Sequence, residues 1–166
     1  ASKEGVASSE ISERYIREYK TDFAALGLRA HEANPKVTEI GDFIFRVCFI
    51  DPFQGKVMAK FARENMKIDR VALLKDTKND YSIGLAEAFK SAYEEAGGKV
   101  TIEQSYAQGD TDFSAQLTAI KNSDAQGVFV PGYYGEVGAI ARTAQRLEVK
   151  IPMFGGDGWD APDLFK

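Results

Sequence analysis

An alternation of strand-like and helix-like segments is the feature that most constrains how this chain can fold. Short runs rich in apolar residues recur between residues 43 and 155. Each run is followed, after a short polar loop, by a segment whose apolar residues are three or four positions apart, the spacing of one helical face. This order is typical of parallel strands joined by right-handed helical crossovers, with helices on both faces of the sheet.

Five strands and four helices are predicted from this alternation. We place the strands at residues 43–50, 70–75, 99–105, 127–131 and 152–155, and the helices at residues 53–65, 81–96, 112–122 and 135–147. The third strand is the most polar and is expected near an edge of the sheet. The predicted fold is therefore α/β, a three-layer, doubly wound, flavodoxin-like sheet of five parallel strands.

The beginning of the chain has a different pattern. Residues 1–35 predict a helical segment, with helices at residues 9–20 and 23–33, the second ending before Pro35. Residues 36–166 form the alternating core. At 166 residues the chain has a usual size for one domain, and we expect a single α/β lobe.

Charge and composition exclude several partners. The net charge is −4 and no basic patch dominates, so we expect no nucleic-acid partner. No apolar run approaches the ~20 residues of a membrane span, so membrane insertion is not expected. Cys48 and His31 are each the only residue of their type and lie apart in sequence, which argues against a zinc site or a Cys–His nucleophile.

Signatures of common enzymes are also absent from the sequence. There is no G-x-x-x-x-G-K-[ST] phosphate loop, no G-x-G-x-x-G between a strand and a helix, and no G-x-S-x-G. A phospho-receiver domain would need a pair of aspartates after its first strand, an aspartate after its third and a lysine after its fifth, and this sequence does not have that set in these positions. We therefore predict a protein that is not an enzyme and that needs no cofactor.

Acidic and aromatic residues follow several of the predicted strands, where ligands bind to open parallel sheets. They are Asp51 after the first strand, Asp76, Asp80 and Tyr81 after the second, Tyr133 and Tyr134 after the fourth, and Asp157 and Trp159 after the fifth. Glycines flank the later groups and would let the backbone approach a ligand. A carboxylate with aromatic rings suits a small cationic or zwitterionic ligand.

Each of these residues also has a plain structural alternative. A lone aspartate at a strand end commonly caps a helix or forms a turn, and Asp51 and Asp80 fit that role. Asp51 followed by Pro52 is typical of an N-cap with proline at the first helical position. A lone tyrosine is commonly a packing residue. The Gly-Tyr-Tyr-Gly and Gly-Asp-Gly-Trp-Asp pieces are harder to explain in this way.

Several longer motifs carry a family resemblance. The runs NPKVTEIGDFIFRVCFIDPFQGKVMAKFA, VALLKDTKNDYSIGLAEAF, GDTDFSAQLTAIKN, VFVPGYYGEVGAIARTAQ and PMFGGDGWDAPDL resemble, in the family's order, the bacterial branched-chain amino-acid binding proteins. These are type I periplasmic binding proteins that serve ABC transporters. Such proteins have two α/β lobes with a ligand in the cleft between them, and residues 33–166 resemble the second lobe only.

The resemblance implies a set of ligand-binding residues. Tyr81 and Tyr133 match tyrosines that line the cleft, Asp157 matches the acid that takes the ligand's ammonium, and Phe23 matches an aromatic residue near the hinge. The first-lobe serine and threonine groups that grip the ligand carboxylate have no counterpart. We therefore expect half a site for a small aliphatic amino acid, with weak or no binding by this lobe alone, and a periplasmic parent protein.

The order of segments departs from the family. Residues 9–30 resemble a segment that follows the GGDGWD region in the family, whereas here they precede the core. This order is that of a circular permutation and implies an engineered lobe. The former lobe–lobe face would expose aromatic rings and favour a homodimer. Two alternatives stay open: a flavodoxin-like scaffold with no retained activity, and an enzyme or signalling domain on the same fold.

Overall fold

The computed structural model describes residues 49–165 of the 166-residue chain. Backbone contacts divide the chain into two compact units, Ala1–Phe49 and Ile50–Lys166, and the described residues fall almost entirely in the second. The helices predicted in residues 1–35 lie outside the described residues. So does most of the strand predicted at residues 43–50.

The described residues form a four-stranded parallel sheet. Its strands are β1 (Arg70–Asp76), β2 (Lys99–Tyr106), β3 (Gly127–Val130) and β4 (Met153–Gly155). Their spatial order is β2-β1-β3-β4, and every neighbouring pair is parallel. This confirms the predicted doubly wound parallel sheet, in which the polar strand β2 lies at one edge. The chain order changes direction between β1 and β3, which is a topological switch point.

Helices alternate with these strands as the sequence predicted. They are α1 (Asp51–Lys60), which continues as a π-helical turn (Phe61–Asn65), then α2 (Asp80–Glu95), α3 (Ser114–Lys121) and α4 (Tyr134–Arg146). Two short 3-10 turns, Asp157–Trp159 and Pro162–Phe165, follow β4. The predicted bounds of these strands and helices agree with the structure to within two residues. None of the helices in residues 49–165 has the length and apolar character needed to cross a membrane.

The predicted helix caps were wrong in detail. Ile50 occupies the N-cap of α1 and Asp51 is its first helical residue, so Pro52 stands one position later than expected. Asn79 caps α2 by accepting a hydrogen bond from the backbone N–H of Ser82 at 3.3 Å, and Asp80 is again the first helical residue. Both aspartates lie in the first helical turn, where the helix dipole favours a negative charge.

Two apolar clusters cover the two faces of the sheet. Alternate residues of β1 point to opposite faces, as strand geometry requires. Val71 and Leu73 pack against α1 and α2, whereas Ala72 and Leu74 pack against α3 and α4. On the first face, the ring of Phe129 stacks on that of Phe89 with centroids 3.9 Å apart. The result is the predicted three-layer arrangement, with β1 and β3 buried at its centre.

Candidate functional site

The carboxyl ends of the strands bring together three of the predicted ligand-binding residues. Tyr81 lies in the first turn of α2 after β1, Tyr133 is the N-cap residue of α4 after β3, and Asp157 begins the 3-10 turn after β4. The Tyr81 hydroxyl donates a hydrogen bond to Asp157 Oδ1 at 2.8 Å. The rings of Tyr81 and Tyr133 stack with centroids 5.1 Å apart and an interplanar angle of 30°.

Other candidates from the sequence have structural roles or lie elsewhere. The buried Asp76 carboxylate accepts hydrogen bonds from the backbone N–H groups of Lys78 (2.8 Å) and Gln108 (3.1 Å), which fixes the turn after β1. Trp159 Nε1 donates to the Val130 carbonyl oxygen at 3.1 Å. Phe23 lies outside the described residues.

Gln54 belongs to this cluster and was missed by the sequence analysis. Its side-chain Nε2 donates to Asp157 Oδ1 at 2.9 Å, and its Oε1 lies 3.5 Å from the Tyr81 hydroxyl oxygen. Only 7% of Gln54 is exposed. A signal was present in the sequence, because Gln54 lies four positions before Met58 and eight before Ala62 and so shares a helical face with apolar residues.

Glycines let the loops of this site pack closely. A Cβ atom on Gly156 would lie 2.6 Å from the Tyr81 hydroxyl oxygen and 2.9 Å from Gln54 Nε2, and one on Gly158 would lie 2.6 Å from the Gly132 carbonyl oxygen. Gly156 has extended backbone angles that any residue adopts, so it is space and not conformation that requires glycine there. Gly135 differs, since an added Cβ would have no neighbour within 4 Å.

Electrostatics keep the Tyr81 hydroxyl protonated. Burial raises the pKa of Tyr81 well above its ordinary value, and the hydrogen bond to Asp157 raises it further. The backbone N–H of Gly158, which donates to the Tyr81 hydroxyl oxygen at 3.3 Å, acts in the opposite direction. Tyr81 therefore remains a hydrogen-bond donor to Asp157 at neutral pH. No three acidic, histidine or cysteine side chains among residues 49–165 are placed to hold a metal ion.

Comparison with known proteins assigns the family. The sequence profile of the family described as "Periplasmic binding protein" matches residues 38–164. The chain belongs to this family. It is 37% identical over 125 residues to Leu/Ile/Val-binding protein homolog 3 of Brucella melitensis, a match that covers 75% of this chain and 34% of the relative. The resemblance found in the sequence is thus confirmed at the level of the family.

A second curated relative supports the same family assignment. The chain is 34% identical over 125 residues to a leucine-, isoleucine-, valine-, threonine- and alanine-binding protein of Pseudomonas aeruginosa, covering 75% of this chain and 33% of that protein. The chain therefore spans about a third of the length of the curated relatives it matches.

Solved structures of this family share the fold. A leucine binding protein from Thermotoga maritima matches with a TM-score of 0.74 and 42% identity, over 80% of this chain and 38% of that one. A branched-chain amino acid transporter substrate binding protein from Streptococcus pneumoniae, solved with isoleucine, matches with a TM-score of 0.72 and 35% identity, over 76% of this chain and 36% of that one.

Alkaline pH should test the Tyr81 hydrogen bond. A tyrosine whose folded-state pKa is raised stabilises the fold fully below its unfolded pKa of about 10, and that contribution is lost as the pH rises towards the folded-state pKa. The Tyr81→Phe variant has no hydroxyl to ionise. Its free energy of unfolding should therefore fall less steeply than that of the wild type above about pH 10. Urea denaturation at a series of pH values measures this difference.

Burial also raises the pKa of Tyr93 and Tyr106, so the Tyr81→Phe variant should keep some of this dependence on pH. Ultraviolet absorbance titration provides the control, because Tyr81→Phe should remove one of the late-ionising tyrosines. Parallel stability curves for the two proteins would contradict the placement of Tyr81.

Proposed function

We propose that this chain is one lobe of a periplasmic amino-acid binding protein of the leucine, isoleucine and valine type, which serves an ABC transporter. The observation that carries this proposal is the meeting of Tyr81, Tyr133 and Asp157 at the switch point of the sheet. Relatives that are 34–37% identical to this chain are named for binding these amino acids. The proposed location is the periplasm, and the proposed role is binding and not catalysis.

Each residue has a proposed role in holding an amino acid. The Asp157 carboxylate pairs with the α-ammonium group, since an oppositely charged donor gives the strongest hydrogen bonds to a carboxylate. The stacked rings of Tyr81 and Tyr133 present an aromatic surface to the ammonium group and the aliphatic side chain. Phe23 is proposed as a further aromatic contact near the hinge. No cofactor takes part in this binding.

The expected affinity of this lobe alone is low. Asp157 and Tyr133 are exposed, and an exposed ion pair contributes only ~0–1 kcal/mol. The groups that bind the ligand carboxylate in this family lie in the lobe to which this chain shows no resemblance. We therefore expect a Kd in the millimolar range or weaker, which corresponds to about 4 kcal/mol of binding free energy.

An NMR titration with leucine, isoleucine and valine tests the proposed site. Proton–nitrogen spectra at ligand concentrations on the order of tens of millimolar should show shifts confined to the surroundings of Tyr81, Tyr133 and Asp157. N-acetyl-leucine, which lacks the ammonium group, should cause none of them. The Asp157→Asn variant removes the negative charge and should lose the response to all three amino acids.

A matched variant separates this site from a general effect of charge. Asp160 is an exposed acid three residues further along the same loop, and Asp160→Asn should keep the wild-type shifts. A dispersed wild-type spectrum without any ligand-induced shift would instead favour the second candidate, an engineered flavodoxin-like scaffold with no retained activity. In that case Asp157→Asn would change only the stability of the fold.

The order of segments is also proposed to be a circular permutation made by engineering. The match to the family profile starts at residue 38, and residues 9–30 resemble a segment that follows the Asp157 region in the family. A chain with residues 1–35 moved behind residue 166 should fold cooperatively and keep the same leucine response, because the segment that residues 9–30 resemble follows the Asp157 region in the family. Loss of cooperative thermal unfolding in the moved chain would count against a permutation.

Self-association through the aromatic edge is a further proposal. Tyr133 and Tyr134 are 43% and 46% exposed, and large exposed apolar groups favour association. Sedimentation at high concentration should show a monomer–dimer equilibrium that Tyr133→Ser with Tyr134→Ser shifts towards monomer. Phe61→Ser removes an aromatic ring that is similarly exposed (44%) but lies outside this edge, and should leave the equilibrium unchanged. A wild type that stays monomeric would exclude the proposed dimer.

A further inference from the structure

The two carboxylate oxygens of Asp157 have different surroundings. Oδ1 accepts hydrogen bonds from the Tyr81 hydroxyl at 2.8 Å and from Gln54 Nε2 at 2.9 Å. No hydrogen bond from residues 49–165 reaches Oδ2. A carboxylate held by one oxygen in this way presents the other in a fixed direction.

The donors that hold Oδ1 are both uncharged. None of the ion pairs formed by the described residues involves Asp157. A lysine or arginine in place of Gln54 would neutralise the carboxylate and compete with a cationic ligand. A glutamine amide and a tyrosine hydroxyl instead fix the position of the carboxylate and leave its charge available.

Gln54 is well placed for such a role because α1 packs tightly on α2. A Cβ atom on the neighbouring Gly55 would lie 2.6 Å from the backbone nitrogen of Phe89, so the two helices touch through their backbones at this point. Tyr81 lies at the start of α2. The two donors to Asp157 therefore project from one rigid pair of helices.

We infer that Gln54 is a positioning residue, which together with Tyr81 holds Asp157 by Oδ1 and leaves Oδ2 as the acceptor for the ammonium group of a ligand. This inference rests on the proposed function for the identity of the ligand. The positioning itself rests only on the contacts among Gln54, Tyr81 and Asp157.

The first test needs no ligand. The scalar couplings between the α and β protons of Asp157 report its side-chain rotamer, and they should indicate a single rotamer in the wild type. Gln54→Met keeps the length of the side chain but removes the donor, so the couplings should become averaged over rotamers. Gln116→Met makes the same chemical change on α3, which packs on the opposite face, and should leave the Asp157 couplings at their wild-type values.

The second test uses leucine as the probe. Gln54→Met should weaken leucine binding about fivefold, because Asp157 must then be ordered on binding and ordering one side chain costs about 1 kcal/mol. Gln54→Glu places a second carboxylate against Asp157, and two carboxylates at this distance share a proton. The pH profile of leucine-induced NMR shifts in Gln54→Glu should therefore move to higher pH, a shift that would not occur if residue 54 lay away from the carboxylate that binds leucine.

The outcomes distinguish failure of the positioning role from failure of the proposed ligand. Asp157 couplings that stay unchanged in a folded Gln54→Met would overturn the positioning role. Averaged couplings without any leucine response in the wild type would support the positioning role and reject the proposed ligand. If Gln54→Met does not fold, the couplings of Gln54→Glu at a pH where both carboxylates are ionised decide the question, since repulsion between the two charges should then change the Asp157 rotamer.

Discussion

Burial of the two central strands on both faces is the constraint on which the rest of the structure depends. Val128, Phe129 and Val130 of β3 are fully buried, as are Val71, Ala72 and Leu74 of β1. Strands without a polar face must be covered by helices on both sides. The helix that follows β1 (α2) covers one face of the sheet, and the helix that follows β3 (α4) covers the other. The first turns of these two helices therefore lie close together at the carboxyl edge of the sheet. The position of the site follows from this topology.

The second constraint is close packing of the loops at that edge. A side chain on any of three glycines at this edge would overlap a neighbour. One on Gly132 would meet the Tyr106 hydroxyl, one on Gly156 would meet Tyr81, and one on Gly158 would meet the Gly132 carbonyl oxygen. Because these glycines have no side chains to separate the loops from their neighbours, the loops after β3 and β4 hold Tyr133 and Asp157 against Tyr81. The hydrogen bonds of Asp157 then depend on helices α1 and α2, which carry the donors.

Much of this arrangement could be predicted from the sequence, and the remainder depends on three-dimensional detail. Apolar runs and helical spacing placed β1 to β4 and their helices, because burial on two faces leaves a strong pattern. The rule that strand ends converge placed Tyr81, Tyr133 and Asp157 at one edge among several other candidates, and the family resemblance singled these three out. The pairing of Gln54 with Asp157 could not be foreseen, since it depends on the rotamers of both side chains and on how closely α1 approaches α2.

Cap positions show the same limit on a smaller scale. From the sequence we assigned a cap or turn role to Asp80, although the side chain of the neighbouring Asn79 can equally accept a backbone hydrogen bond. The structure selects Asn79 because its extended backbone precedes the first helical residue. The sequence likewise does not distinguish Gly132 from Gly135, although an added Cβ atom would overlap a neighbour at Gly132 and would have open space at Gly135.

The hydrogen bond between Trp159 and β3 gives the protein a built-in optical reporter. Trp159 is the only tryptophan of the chain, and its indole nitrogen donates to the carbonyl oxygen of Val130, at the end of the strand that leads to Tyr133. The ring also packs against the apolar cluster beneath α4 and stands two residues from Asp157. Fluorescence from a single, partly buried indole therefore reports on the polarity of this edge without any attached dye, and free of signal from other tryptophans.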